Sequence, residues 1–194
     1  MRPKPAQRDR ILATALRLFA ERGFPQVTLR ELAQRVQLSP ATLYHYFPTK
    51  EALLAALAFQ IAERFEAATA EIAESDWETT YKFERFCVRH VETLLAEPAQ
   101  AAIFLREAPR HLEEPHRTAF LQRQEAYERR LERILEEGVA KNLFHATEPR
   151  FLAISLLAAL NATANWYQPT GAFTPTQIAH YMATIFLRGL IRSW

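Results

Sequence analysis

A short segment around residues 40–48 concentrates side chains that can hydrogen-bond to a polar surface. Leu43 fits the core side of a helix there, so the other side chains stay exposed. Small groups at Ala41 and Thr42 permit close approach to a base edge in the DNA major groove. The rings that follow carry donors that reach phosphates, and Lys50 adds charge. The exposed set predicts DNA recognition and consists of Pro40, Ala41, Thr42, Tyr44, His45 and Tyr46.

Two closely spaced helix starts position this segment. Thr28 and Glu31 have the spacing of a capping box, so a helix begins at Thr28 and ends near residue 37. Ser39 then serves as the N-cap of a second helix with Pro40 in its first turn. A turn of about three residues between them predicts a helix-turn-helix. The helix starts at Thr28 and at Thr49–Lys50 present free N–H groups to phosphates.

The charge of the chain is unevenly distributed. The first 50 residues carry nine Lys and Arg side chains against three acids, whereas the remaining residues carry 15 against 19. A basic head on an acidic body is typical of a nucleic-acid reader that has a second domain.

Composition and periodicity predict an all-α protein of about nine helices. We expect a helix-turn-helix DNA-binding domain over 1–49 and a helical ligand-binding and dimerisation domain over 50–194. Thr174 and Gln177 repeat the capping-box spacing before the last helix. The predicted helices cover 7–22, 28–37, 39–46, 50–75, 77–96, 99–108, 115–141, 148–167 and 175–192, with residues 1–6 as a disordered arm.

Several function classes lack support in the sequence. The single cysteine, Cys87, fits a core position, and no signal peptide or membrane span is indicated, so we expect a soluble cytoplasmic protein. No HExxH, CxxC, Gly-rich phosphate loop or GxSxG occurs, so we expect neither an enzyme nor a cofactor. His111 and His116 lie near Glu113 and Glu114, but a surface loop is favoured over a metal site there.

Two stretches carry a specific resemblance. Residues 28–54, TLRELAQRVQLSPATLYHYFPTKEALL, and residues 11–24, ILATALRLFAERGF, resemble the DNA-binding signature of the tetracycline-repressor (TetR) family. The resemblance implies an all-helical homodimer, usually a repressor, that binds a palindromic operator and releases it when a small effector binds.

The matching positions imply roles for individual residues. Base contacts are implied for Arg30, Ala41, Thr42 and Tyr44, and phosphate contacts for Thr28, Ser39, His45, Tyr46 and Lys50. Gln37 departs from the family, which usually has glycine in the turn. A non-glycine residue in a left-handed conformation costs roughly 1 kcal/mol, so we interpret Gln37 as a tolerated cost or a slightly different turn.

The family resemblance also implies that the last two helices, 148–167 and 175–192, form the dimer interface; the alternative is that they bury only the chain's own core. The middle helices are expected to enclose a pocket. Asn161 and Asn165 lie one turn apart in an apolar helix and could bind ligand, bond across the dimer or cap neighbouring groups. Arg106 could face the pocket or its mouth, although a solvated face is favoured for an arginine. The candidate ligand-binding residues are Phe86, His90, Phe104, Arg106, Phe120, Tyr127, Asn161 and Asn165.

Residues 165–190 resemble a subgroup of the family that responds to acyl-CoA thioesters, which makes an acyl-CoA the first hypothesis for the effector. A hydrophobic drug-like or aromatic effector is the second. Outside this class, a helical interaction module without DNA binding and an enzyme remain the alternatives. Only a DNA-binding regulator predicts strongly salt-dependent binding to DNA.

Overall fold

The computed structural model describes residues 5–145 and 148–190, which form an all-α fold. Among these residues, one continuous helical segment over 98–111 replaces the single helix predicted over 99–108, which confirms the prediction of about nine helices. The α-helices are α1 (Pro5–Arg22), α2 (Leu29–Arg35), α3 (Pro40–Tyr46), α4 (Lys50–Glu74), α5 (Thr79–Leu95), α6 (Pro98–Ala102), α7 (Ala108–His111), α8 (His116–Ala140), α9 (Pro149–Ala162) and α10 (Pro175–Leu190).

Short helical segments of other types join some of them. A 3₁₀ turn covers Phe24–Gln26, a π-helical segment covers Ile103–Glu107, and a second 3₁₀ turn covers Thr163–Asn165. Residues 5 and 6, predicted as part of a disordered arm, already belong to α1. Residues 1–4 of that arm and residues 191 and 192 of the last predicted helix lie outside the described residues. Within the described part of the chain, no helix is long and apolar enough to cross a membrane.

The chain divides into two compact units. Unit 1 comprises residues 1–62 and 98–121, and unit 2 comprises residues 63–97 and 122–194. Helices α4 and α8 therefore each supply residues to both units. The division into domains 1–49 and 50–194 remains a prediction.

Unit 1 is built on the apolar face of α1. Ile11, Ala15 and Phe19 are fully buried, as their helical spacing predicts. The helix ends at Gly23, whose φ of 80° suits a residue without a Cβ. Its N–H still donates to the Phe19 carbonyl at 2.9 Å, and Phe24 then turns back so that its ring meets that of Phe19 edge-on at 5.2 Å.

Unit 2 packs α10 against α5 and closes α8 with a tight turn. Gly138 is required in α8 because a Cβ there would lie 2.0 Å from Phe144 Cδ2. Asn142 ends the turn with a φ of 56°, in the left-handed capping position that asparagine takes in place of glycine. Helix α9 is shorter than the predicted 148–167, since the Thr163 hydroxyl donates to the Leu160 carbonyl at 2.6 Å and the chain tightens into a 3₁₀ turn.

Candidate nucleic-acid interface and effector site

The turn between α2 and α3 is a Schellman motif. The Leu38 N–H donates to the Ala33 carbonyl at 2.9 Å, and the Gln37 N–H donates to the Gln34 carbonyl at 3.1 Å. Gln37 has a φ of 53°, so a glutamine occupies the left-handed position that favours glycine. The sequence therefore located the strained residue correctly, and the turn keeps the glycine-type geometry.

The predicted recognition helix α3 begins with a side-chain cap. Ser39 Oγ accepts the Thr42 N–H at 3.1 Å and lies 2.8 Å from Thr42 Oγ1. Leu43 is fully buried and fixes the inner face of the helix. The structure leaves the remaining candidates on the outer face, where Ala41, Thr42, Tyr44 and His45 are exposed and Tyr46 is half-buried.

The start of α2 differs in one respect from the prediction. Thr28 Oγ1 accepts the Glu31 N–H at 3.2 Å, which is one half of the capping box. The Glu31 carboxylate, however, pairs with Arg22 Nη1 at 2.5 Å. The carboxylate therefore serves as an ion-pair partner between α1 and α2. Arg30, a predicted base contact, is exposed on the first turn of α2.

Lys50 lies against the chain's own backbone. Its Nζ donates to the Phe24 carbonyl at 2.9 Å and to the Pro25 carbonyl at 3.3 Å, and it lies 4.3 Å from the centre of the Phe24 ring. Burial lowers the pKa of Lys50. Its predicted phosphate contact remains a prediction, and in this conformation the ammonium already stabilises the 3₁₀ turn.

Phe24 is held from a second side by residues that sequence reasoning did not select for this purpose. Glu107 Oε2 accepts the Phe24 N–H at 3.1 Å. The His111 ring stacks on Phe24 at 5.1 Å, and His111 Nε2 lies 3.6 Å from Glu107 Oε2. His116, the other histidine considered for a metal site, lies 3.1 Å from Glu51 Oε2. The π-helical segment and α7 are therefore built into unit 1.

Four of the eight predicted ligand-binding residues meet in unit 2. His90 Nδ1 lies 3.0 Å from the Tyr127 hydroxyl, and His90 Nε2 lies 3.1 Å from Asn161 Oδ1. Because an amide oxygen only accepts, Nε2 donates to Asn161 and Nδ1 accepts from Tyr127. Burial lowers the pKa of His90 to about 4, despite the opposing effect of the Asn161 hydrogen bond. His90 is therefore neutral at pH 7. The fourth residue, Phe86, lies 5.3 Å from the Tyr127 ring.

Aromatic rings surround this polar group. Phe65 lies 5.1 Å from His90 and 5.8 Å from Tyr127 between ring centres. Thr69, one helical turn after Phe65, is fully buried. Neither residue was among the predicted site residues, although their spacing along α4 already placed both on one helix face. The result is a short polar row between aromatic walls.

The other four candidates do not join this group. Phe104 and Phe120 belong to unit 1, where their rings meet edge-on at 5.3 Å. Arg106 is exposed in the π-helical segment, and Asn165 is exposed in the second 3₁₀ turn. Their roles in ligand binding remain predictions.

Helices α9 and α10 expose apolar side chains on one side and bury others within the chain. Phe151 is 66% exposed, Ile154 45% and Ile185 65%. Leu157 and Leu190, on the same two helices, are buried in the chain's own core. The exposed residues of these helices therefore remain candidates for the dimer interface, whereas the buried ones belong to the chain's own core.

Comparison with known families decides the identity of this fold. A model of bacterial regulatory proteins of the tetR family matches residues 11–57. A model of the tetracyclin repressor-like C-terminal domain matches residues 76–190, which is more than half of the chain. The chain belongs to the TetR family. It is a transcriptional regulator with a helix-turn-helix DNA-binding domain, and not an enzyme, as the sequence predicted.

Relatives agree with this assignment. The TetR-family chain is 28% identical to the repressor KstR2 of Rhodococcus jostii over 189 residues, which is 96% of this chain and 92% of the relative. PfmR from Thermus thermophilus superposes with a TM-score of 0.86 at 27% identity, covering 95% of this chain and 100% of PfmR. AibR in complex with isovaleryl coenzyme A and operator DNA gives a TM-score of 0.84 at 24% identity, covering 92% and 97%.

Proposed function

We propose that this TetR-family protein is a ligand-responsive repressor that binds a palindromic operator as a homodimer. The observation that carries the proposal is the outer face of α3. Small side chains at its N-terminal end and hydrogen-bonding rings after them form one exposed row on a helix fixed by a buried Leu43. This arrangement suits a helix that enters the major groove by its first turn. The similarity of the chain to KstR2, which is a transcriptional repressor, supports repression as the direction of control.

The homodimer is supported by the apolar side chains that α9 and α10 expose. Phe151, Ile154 and Ile185 are far more exposed than apolar residues of that size usually are, and they lie on the two helices expected to pair. Ile185→Lys should convert the dimer to a monomer in light scattering. Leu121→Lys is the matched control, because Leu121 is 50% exposed on α8. A dimer that survives Ile185→Lys unchanged contradicts this interface.

We further propose that the effector is an acyl-CoA thioester whose acyl part binds beside His90, Tyr127 and Asn161. AibR with its isovaleryl coenzyme A supports this class of effector. A thioester carbonyl could accept a hydrogen bond from the His90–Tyr127–Asn161 row, and the rings of Phe65 and Phe86 suit an apolar chain. The same rings favour a hydrophobic or aromatic drug-like effector as the second candidate.

Selection of bound duplexes from a random pool tests the repressor, and release by a panel of acyl-CoA thioesters tests the effector. An enriched palindrome that one thioester releases supports both proposals. If the protein enriches a palindrome and an aromatic compound releases it but no thioester does, the repressor is supported and the effector is an aromatic compound instead of an acyl-CoA. If no duplex is enriched, the helical interaction module without DNA binding replaces the repressor.

A further inference from the structure

We propose that Arg10 is a positioning residue for the recognition helix α3, holding the strained turn before it, and not a phosphate contact. The proposal rests on the proposed DNA reading by α3. In the sequence, Arg10 is one of the nine basic residues of the head. In the structure its Nη2 donates to the carbonyl of Val36, 26 residues further along the chain.

The Val36 carbonyl occupies a critical place in the helix-turn-helix. Val36 is the C-cap of α2, and its carbonyl belongs to the peptide that leads into Gln37 with its φ of 53°. The two bonds of the Schellman motif use the carbonyls of Ala33 and Gln34. Instead, the carbonyl of Val36 accepts a hydrogen bond from the charged guanidinium of Arg10 on α1, and hydrogen bonds from a charged donor are stronger than neutral ones.

This bond links the first helix of the head to the orientation of the third. Two residues after Gln37, Ser39 caps α3 through the Thr42 N–H. A change in the Val36–Gln37 peptide would therefore alter the direction in which α3 leaves the turn. Base contacts carry the sequence information, whereas contacts to phosphates carry none directly. A shift of α3 should therefore weaken binding to the operator more than binding to a random duplex.

Other cations of the head have internal partners as well. The Arg8 guanidinium lies 5.5 Å from the centre of the Phe47 ring, immediately after α3. Arg22 pairs with Glu31, and Lys50 bonds the carbonyls of Phe24 and Pro25. Part of the positive charge of the first 50 residues therefore holds the head together, and Arg10 is the member that acts on the turn itself.

The test compares operator affinity with affinity for a random duplex over a series of salt concentrations. The full-length protein is used with the operator that the wild type selects. Arg10→Met should weaken operator binding about ten-fold, the size of the loss of one good base contact. Binding to the random duplex should fall only as far as the loss of one charge requires, and the salt slope should stay unchanged because no phosphate contact is lost. Arg10→Lys should also bind the operator more weakly, although it keeps the charge, because it lacks the planar guanidinium.

Arg17→Met is the matched control, since Arg17 is an exposed arginine two turns further along α1. Arg17→Met should lower the affinity for the operator and for the random duplex by the same factor, and only as far as the loss of one charge requires. Gln37→Gly should restore part of the operator affinity of Arg10→Met, because glycine adopts the left-handed turn without help.

Three results would overturn the proposal. If Arg10→Met binds both DNAs more weakly and its salt slope is smaller by about 0.9, Arg10 contacts a phosphate. A lower melting temperature with an unchanged ratio of the two affinities identifies a merely structural residue. Unchanged operator binding shows that the Val36 bond has no effect on α3.

A wild type that selects no operator would contradict the proposed function, and with it the effect of Arg10 on operator binding, but not the coupling between Arg10 and the turn. The thermal unfolding of Arg10→Met, Gln37→Gly and the double variant then tests the bond without DNA. Non-additive effects support coupling between Arg10 and the turn, and additive effects contradict it. Arg10→Lys takes the place of Arg10→Met in both measurements if the latter does not fold.

Discussion

Two polar clusters join α5 to α8 within unit 2, and they bury different chemistry. In the Glu137 cluster, the carboxylate accepts hydrogen bonds from Thr79 Oγ1 at 2.8 Å, from Lys82 Nζ at 2.9 Å and from Lys141 Nζ at 2.6 Å. In the His90 cluster, a neutral imidazole bonds a phenol and an amide. The first cluster holds three charges, whereas the second holds none at neutral pH.

The charged cluster is suited to stabilise the fold. Lys82 is buried, so its ammonium depends on Glu137 for compensation. Burial of Glu137 alone would raise its pKa, but the hydrogen bonds from Lys141, Lys82 and Thr79 outweigh this effect and lower it to about 2. The carboxylate therefore stays ionised over the whole physiological range and keeps its three partners.

The neutral cluster is suited to exchange its partners. A neutral hydrogen bond contributes only about 1 kcal/mol net, so a ligand that offers an equivalent group replaces it at little cost. The aromatic rings around His90 keep water away and strengthen any such bond. The neutral cluster, whose hydrogen bonds are easier to replace, is therefore a better candidate for the proposed effector site than the charged cluster.

Removal of the carboxylate from the charged cluster should give the largest effect. Glu137→Gln leaves the buried Lys82 ammonium without a counter-ion and should lower the free energy of unfolding by about 3 kcal/mol. Urea unfolding at pH 7 measures this value. Glu136→Gln, at the exposed neighbouring position, is the control and should change little. A loss below about 0.5 kcal/mol for Glu137→Gln would mean that the charged cluster does not stabilise unit 2.

The two clusters should also lose their stabilising effect in different pH ranges. The folded pKa of His90 is about 4, below its ordinary value of 6.5. Between these two values, His90 binds a proton in the unfolded chain but not in the folded protein. The contribution of His90 to the free energy of unfolding is therefore present above pH 6.5 and is lost as the pH falls. Between pH 6.5 and 5 this loss is about 2 kcal/mol. Glu137, with its lowered pKa, contributes a loss only below about pH 4.5.

The difference between wild type and His90→Gln isolates this effect. The free energy of unfolding of wild type should fall more steeply than that of His90→Gln from pH 6.5 to 5. His145→Gln, which replaces an exposed histidine, should keep the wild-type profile. Parallel profiles for wild type and His90→Gln would show that the imidazole is not held neutral by burial.

The local features of both units followed from the sequence because their partners lie within one helical turn. Thr174 and Gln177 form the complete capping box that their spacing predicts, with hydrogen bonds of 3.2 and 2.9 Å. Gln37 occupies the left-handed turn. The first cap departed from its pattern only where a distant Arg22 competed for the Glu31 carboxylate.

The long-range pairs could not be predicted in the same way. Helical periodicity shows which face of a helix is buried, but not which residue of another helix meets it. His90 and Asn161 were both candidates, yet nothing in their separate patterns indicated a bond across 71 positions. The Glu137 cluster and the contact between Phe24 and Glu107 were missed for the same reason. Lysine and glutamate usually lie on the protein surface, so the residue types of Lys82 and Glu137 gave no indication that they meet in a partly buried cluster.

Replacement of the whole neutral cluster should give the smallest effect on stability. Asn161→Leu alone leaves the His90 Nε2–H buried without an acceptor and should cost about 1 to 2 kcal/mol. The triple variant His90→Leu, Tyr127→Phe, Asn161→Leu leaves no unpaired group in the cluster and should cost less than about 1 kcal/mol, because apolar side chains replace all partners. Release of the operator by effector should nevertheless be lost.

These two variants test whether the neutral cluster serves effector binding more than stability. Stability that recovers in the triple variant while the effector response stays absent separates folding from sensing at a single cluster. If the triple variant instead unfolds as readily as Glu137→Gln, the neutral cluster holds the fold as firmly as the charged one. A full effector response in the triple variant would contradict effector binding at His90, Tyr127 and Asn161, because the variant has none of the polar side-chain atoms that would bind the effector there.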